Sequence, residues 1–224
     1  MRGMAPTRVT RLGMVNVYLV EEDDGLTLID AGLPKGAKGI QEAAAKLGRP
    51  IRRIVLTHAH GDHIGSLDEL AAALPGVEVL ISARDARLLA KDKSLDAGEE
   101  KGKLRGSYPG AKTRPTGTLT PGERVGSLEV VANPGHTPGH VALLDTRDRT
   151  VYCGDTFSTL GGVATSAKPY LRFPLPGIAS WHGPTVLESA RVLRALNPAR
   201  LAPGHGAIVE DPGARMDAAI AKAQ

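Results

Sequence analysis

Cysteine occurs once in this 224-residue sequence, as Cys153. That excludes an intramolecular disulfide and fits a reducing compartment. Aromatic residues make up only 3%, so Val, Leu, Ile and Ala must supply the core. No apolar run approaches the roughly 20 residues that a bilayer-spanning helix needs. The opening segment MRGMAPTRVTRLGMV is positively charged but lacks the continuous apolar stretch of a signal peptide. A cytoplasmic protein that does not engage a membrane is therefore expected. The formal charge is +4, but the 28 basic residues are scattered rather than striped, which speaks against a nucleic-acid footprint. A small-molecule substrate is the expected partner, and no pattern fixes an oligomeric state. There is no repeat at fixed period and no low-complexity tract. The apolar fraction of 42% and charged fraction of 23% are ordinary for a folded chain, read here as one domain over residues 1–224.

Residues 15–20 (VNVYLV) and 26–30 (LTLID) flank the turn EEDDG and predict a hairpin. A short helix is expected over 39–47, between Pro34 and Gly48. The apolar strand 51–56 (IRRIVL) follows. Ile64, Leu67, Leu70, Ala71 and Leu74 then recur at helical spacing until Pro75-Gly76. A strand over 77–81 and a helix over 83–90 come next. Residues 93–114 are polar and aperiodic, a long loop or lid. Strands are expected over 129–131, 140–144 and 150–153, an irregular stretch over 156–183, and an amphipathic helix over 184–196. A short strand over 200–202 and a helix near 214–223 finish the pattern. Two groups of strands with helices between and after them predict sheets covered by helices on the outside.

Three of the seven histidines fall in residues 57–63, THAHGDH, straight after a strand. In an extended segment, residues i, i+2 and i+4 point the same way. That puts His58, His60 and Asp62 on one side and turns His63 elsewhere as the helix begins. One short loop can thus serve two neighbouring metal ions, two imidazoles for one and a carboxylate plus an imidazole for the other. The bland alternative for Asp62 is a helix N-cap. Three further positions have the same character, each beside glycine at a strand end: His136 in PGHTPGH, Asp155 in YCGDT and His205 in PGHG. Five imidazoles and two carboxylates suit zinc, iron or manganese and argue against thiolate-selected metals.

From LIDAG at 28–32 through THAHGDH, His136, Asp155 and His205, the chain resembles the metallo-β-lactamase-fold hydrolase superfamily. That group includes glyoxalase II-like thioesterases and lactonases. The resemblance implies an α+β fold, an αββα sandwich of two mixed β-sheets with helices on the outer faces and the site at one edge. It implies that His58, His60 and His136 bind a first metal, that Asp62, His63 and His205 bind a second, and that Asp155 bridges them. Two divalent ions, zinc foremost with iron or manganese as alternatives, would lower the pKa of a shared water. The resulting hydroxide would cut a small ester, lactone or thioester, with Asp62 orienting it or taking its proton. Asp30 and Thr57 are candidates to fix ligand imidazoles. Zinc β-lactamases commonly use a cysteine ligand, but this chain offers Asp155. Flavo-diiron relatives carry Glu where His60 stands. The short stretch after His205 is not expected to form the helical glutathione-binding domain of full-length glyoxalase II. Two competing expectations are a persulfide dioxygenase with one iron on two histidines and an aspartate, and a non-catalytic metal-binding relative.

The remaining polar residues have humbler readings. His140 is expected to make a structural hydrogen bond, and His182 to be structural or pocket-lining. Cys153 reads as a small buried hydrophobe and Tyr18 as core. Lys168, Tyr170 and Arg172 either hold substrate at the pocket mouth or are surface residues. The loop over 93–114 is a solvated face or a gate.

Overall fold

The computed structural model describes residues 6–224; residues 1–5, part of the segment read for a leader, lie outside the described residues. The first half builds β1 (Thr7–Arg11), β2 (Val15–Glu22), β3 (Gly25–Ile29), α1 (Ala37–Lys46), β4 (Ile51–Val55), α2 (Gly61–Ile64), α3 (Leu67–Ala73), β5 (Glu78–Ser82), α4 (Ala83–Leu89) and β6 (Gly117–Leu119). The second builds β7 (Arg124–Val125), β8 (Leu128–Ala132), β9 (Val141–Asp145), β10 (Thr150–Gly154), β11 (Phe157–Ser158), β12 (Ala164–Thr165), α5 (Leu175–Ala179), α6 (Gly183–Ala195), β13 (Arg200–Pro203), β14 (Val209–Glu210) and α7 (Gly213–Ala223). The six strands of the first sheet lie in the order β1 to β6, and the second sheet runs β14-β13-β10-β9-β8-β7. Both are mixed: β3, β4, β5 and β6 pair in parallel, as do β10 and β13, whereas the hairpins are antiparallel.

Strict alternation along nearly continuous apolar strands makes this a four-layer molecule. In β2, Val17 and Leu19 join a cluster with Ile40 of α1 and Leu67 and Leu70 of α3, while Tyr18 and Val20 face the other way. In β10, Val151 and Cys153 pack with Ala190 and Leu193 of α6 and Met216 of α7, while Tyr152 faces inward. The inward set from the two sheets forms one cluster, in which the rings of Tyr18 and Tyr152 meet edge-on at 5.2 Å. Successive strand residues point to opposite faces, so a strand buried on both sides must be apolar throughout. The result is the expected αββα sandwich. Truncating one such core leucine to alanine costs about 2–5 kcal/mol.

The strand directions gather one end of both sheets. The C-terminal ends of β3, β4, β8, β10 and β13 and the start of β2 all lie there, because β8 and β10 each pair antiparallel with β9. Those are the strand ends that carry Asp30, the THAHGDH loop, His136, Asp155 and His205.

The single helix expected after that loop is two helices, α2 and α3, broken at Gly65-Ser66. The break follows from close packing on the preceding turn. Gly65 N–H donates to the Gly32 carbonyl at 2.7 Å, Ser66 Oγ donates to the Leu33 carbonyl at 2.6 Å, and a Cβ on Gly65 would sit 2.4 Å from Pro34. Strands β1, β6, β7, β11, β12 and β14 and helix α5 are additions to the expected set.

Candidate metal centre

His58 and His60 leave β4 in an extended loop, and α2 begins immediately after. His60 is the N-cap residue, at φ −73° and ψ 151°, so Asp62 does not occupy the N-cap position and instead sits in the first turn. The side-chain donors then separate into two groups, each with ligand-type atoms within 4.8 Å of one another: His58, His60 and His136, and Asp62, His63, Asp155 and His205. Asp62 thus joins His63 and not His58 and His60, because the turn into α2 swings it away from the extended loop. All seven sequence candidates converge.

Each imidazole is anchored through its far nitrogen, which fixes the nitrogen left facing the centre. Asp30 accepts from the Thr57 hydroxyl at 2.9 Å, so that hydroxyl accepts from His58 Nδ1 at 3.0 Å. Asp30 also accepts from His63 Nδ1 at 2.7 Å. His60 Nε2 donates to the Arg105 carbonyl at 3.0 Å, and His205 Nδ1 donates to the Met14 carbonyl at 3.2 Å. The Ser180 hydroxyl gives its one proton to the Ser166 or Pro176 carbonyl, at 2.8 and 3.0 Å, and so accepts from His136 Nδ1 at 2.9 Å. Asp30 and Thr57 therefore do hold ligand-type imidazoles in orientation, as expected.

These anchors leave buried polar atoms on the side of the centre that nothing else among the described residues satisfies. His60 Nδ1 and His136 Nε2 face each other at 2.9 Å, both without a proton by the tautomers just derived. His58 Nε2, His63 Nε2 and Asp155 Oδ1 are buried and make no hydrogen bond to any described residue. Unpaired buried polar atoms are rare because they are costly, and two opposed lone pairs repel. A cation at each group removes both penalties, and nitrogen and oxygen donors suit zinc, iron or manganese. The residues present fit such ions.

Asp155 ties the groups together: its carboxylate lies 3.2 Å from His63 Nε2, 3.2 Å from His205 Nε2 and 3.4 Å from His136 Nε2. Gly204 makes room for it, since a Cβ there would stand 2.5 Å from Asp155 Oδ1 and 2.6 Å from the His63 ring. The electrostatics differ between the groups. Burial, reinforced by neighbouring imidazoles, pushes the pKa of His58 and His136 well below the usual range, and burial holds His60 at about 4. Burial also opposes charge on His63 and His205, yet the carboxylates of Asp155 and its neighbours outweigh it. They raise His63 well above its ordinary value and His205 to about 10. Burial likewise works against ionised Asp62, but His63 and His205 hold it at about 2. The first group thus offers neutral nitrogen donors, and in the second the carboxylates favour positive charge on the imidazoles beside them.

Around this core the humbler readings resolve. His140 donates from Nδ1 to the Asn133 carbonyl at 3.0 Å and accepts the Asp155 backbone N–H at 3.1 Å, so it positions Asp155. His182 is the N-cap residue of α6 and bonds the Thr185 hydroxyl at 2.7 Å. Cys153 is fully buried, and burial lifts its thiol to about 12, which makes it inert. Among the described residues, Lys168, Tyr170 and Arg172 make no hydrogen bond to any of the seven donors. Tyr170 and Arg172 both donate to the Gly161 carbonyl, and Lys168 and Tyr170 line a separate cleft beside α7. From that segment it is Phe173 that packs on His205, with ring centres 5.3 Å apart. The loop over 93–114 is more than a solvated face: Arg105 anchors His60, Ser107 accepts the Gly61 N–H at 2.9 Å, and Tyr108 packs on the His60 ring at 4.6 Å. Sequence reading missed Ser180, Met14, Arg105 and Phe173; three of these act through hydroxyl or carbonyl oxygens that leave no pattern. Among the described residues no helix is long and apolar enough to cross a membrane.

Comparison with known proteins agrees with this geometry. The chain is 46% identical over 211 residues to YobT of Bacillus subtilis (strain 168), covering 94% of this chain and 91% of that protein. It is 31% identical over 164 residues to a hydroxyacylglutathione hydrolase of Acidiphilium cryptum (strain JF-5), covering 71% of this chain and 56% of that protein. A solved structure of TTHA1623 in a di-iron-bound form superposes with a TM-score of 0.66 at 27% identity, covering 95% of this chain and 98% of that one. The sequence profile of the Metallo-beta-lactamase superfamily matches residues 10–205. With that match across both donor groups, the chain belongs to the metallo-beta-lactamase superfamily, a group of metallo-hydrolases.

Proposed function

We propose that this protein is a dinuclear metal-dependent hydrolase of a small ester, lactone or thioester, with Asp155 shared between the two ions. The observation that carries this reading is the reach of one buried carboxylate to both donor groups, at 3.2 and 3.4 Å. His58, His60 and His136 would hold the first ion, and Asp62, His63 and His205 the second. Zinc is the metal we favour, with iron or manganese as the alternatives for the same donors. Two divalent cations, when bound, acidify a shared water to near neutrality and polarise an acyl carbonyl.

The chain's own residues do the rest. Six of the seven donors are almost wholly enclosed, whereas the Asp62 side chain is 34% exposed. Asp62 is the carboxylate placed between buried centre and entering substrate, able to orient the attacking water and take its proton. Low dielectric around the enclosed imidazoles strengthens every charge interaction during attack. Anchors from Asp30, Ser180, Arg105 and Met14 keep the imidazoles from turning while charge moves. Support for a thioester comes from the hydroxyacylglutathione hydrolase relative, of which this chain spans about half the length; support for two ions comes from the di-iron-bound neighbour. The enclosed Cys153 thiol and scattered basic residues fit a cytoplasmic enzyme acting on a small molecule, without nucleic acid or membrane.

Elemental analysis of the purified protein should find two divalent ions per chain. Hydrolysis of a panel of esters, lactones and thioesters should vanish with a chelator and return with zinc, iron or manganese. One iron per chain with oxygen uptake would overturn the reading in favour of an oxygenase, and full loading without acyl hydrolysis on any substrate would also end it.

A further inference from the structure

Asp85 lies on α4, outside both donor groups, and is completely buried. Its carboxylate makes three bonds, and none is to its own helix. Oδ2 accepts the Ala59 N–H at 2.9 Å and the Thr137 hydroxyl at 2.8 Å, and Oδ1 accepts the Gly139 N–H at 2.9 Å. Ala59 stands between His58 and His60 on the loop after β4. Thr137 follows His136, and Gly139 precedes His140, on the loop between β8 and β9. The two loops belong to different sheets. Ser82 fixes the carboxylate's base by capping α4 through the Asp85 N–H at 3.1 Å. Gly139 is what lets the loop approach: a Cβ there would lie 2.6 Å from Asp85 N, Asp85 Oδ1 and Ser82 Oγ alike.

We propose that Asp85 is a positioning residue that clamps the His58/His60 loop to the His136 loop, and so sets the spacing of the three-imidazole group. Only charge-assisted acceptance can satisfy two backbone N–H groups and a hydroxyl from one side chain in so small a space. His58, His60 and His136 come from opposite halves of the sandwich, and Asp85 is the side chain that bonds the backbone or hydroxyl next to all three. The second group is not held this way. Its His63 and His205 are fixed by Asp30 and Met14 instead. The clamp therefore bears chiefly on the first group, and reaches the second only indirectly, through Gly139 and the His140 that holds the Asp155 N–H. An asparagine could keep at most two of the three bonds and would set an amide N–H against another donor.

This role rests on the dinuclear reading above, which wild-type metal stoichiometry tests separately before any variant is compared. Zinc affinity would then be measured by chelator competition in full-length protein, in a His205→Ala background for the first group and a His136→Ala background for the second. Asp85→Asn should weaken the first group about 10- to 100-fold, the usual effect of losing a support behind metal ligands, and the second less than about 3-fold. Thr137→Val, which removes one bond without changing volume, should weaken the first group by roughly 2- to 10-fold and serves if Asp85→Asn does not fold. Cobalt substitution should show an altered absorption band for the first group only. Equal weakening at both groups in step with lowered melting temperature, or unchanged affinity at the first, would overturn the proposal.

Discussion

Asp30 holds a left-handed backbone conformation, φ 61°, and its carboxylate accepts from Thr57 and His63 behind the centre. Aspartate and asparagine are the side chains that tolerate this conformation best. Asp30→Asn should therefore keep the turn while losing the charge that supports His63 and, through Thr57, His58. Metal affinity of both groups should fall about 10- to 100-fold with little change in the melting temperature of the metal-free protein, as read by chelator competition beside calorimetry. A drop in stability without loss of affinity would show that Asp30 serves the turn alone. At this scale the sequence was most legible where a residue carries its chemistry in its type. His136, Asp155 and His205 each stand beside glycine at a strand end, and the THAHGDH spacing is dense enough to announce itself. Backbone carbonyls carry no such mark. Nothing in Met14 or Arg105 as residue types says that their oxygens orient imidazoles, and Ser180 earns its place only by tertiary position. For Tyr170 and Arg172, left open between substrate contact and surface, the side chains turn to the neighbouring Gly161 carbonyl.

Among the elements, the loop after α4 is fastened by exposed and half-exposed ion pairs. Arg84 donates to Glu99 Oε2 at 2.9 Å, and Arg87 donates to Asp92 at 2.9 Å. The Arg84 guanidinium holds Glu99 below its ordinary value of 4.5. A carboxyl depressed in the folded state stabilises it above its unfolded pKa, and that contribution is lost as pH falls through the folded value. Protection of amides 94–99 against hydrogen exchange, corrected for intrinsic rate, should thus fall as pH drops below about 4.5, while β3 and β4 stay protected. Uniform loss across the molecule would assign the effect to global acid unfolding. Strands such as β2, β3 and β10 were legible because both their faces are almost wholly buried and their sequences are correspondingly apolar. Short edge strands were not: β1 alternates half-buried and exposed polar residues, and β7 and β14 have two residues each. The break between α2 and α3 was hidden because the apolar spacing continues across it, and only the packing of Gly65 and Ser66 on residues 32–34 interrupts the helix.

For the molecule as a whole, the centre is a joint between two sheets. His58, His60, Asp62 and His63 come from one half, and His136, Asp155 and His205 from the other. Any ion bound there holds the halves together, so its binding energy adds to stability. An ion present at 100 times its dissociation constant contributes about 2.7 kcal/mol, and in a domain of this size each kcal/mol moves the melting temperature roughly 2–4 °C. Chelation of both proposed ions should lower that temperature by about 10–20 °C, reversibly on metal return, in scanning calorimetry; an unchanged transition would mean that the halves do not depend on the ions. Sheets covered by helices were foreseeable from two strand groups separated by helices, and the αββα sandwich from the family resemblance, but the gathering of five strand ends at one edge needs the pairing directions, which no single segment contains. The parallel pairing of β10 with β13 carries one more implication. As the nascent chain emerges at about 5–20 residues per second, the three imidazoles are all available once His136 has been made, but Asp155 still awaits β13 and His205. On the dinuclear reading proposed above, the first group would be complete several seconds before the second, so the two cations would be captured in that order.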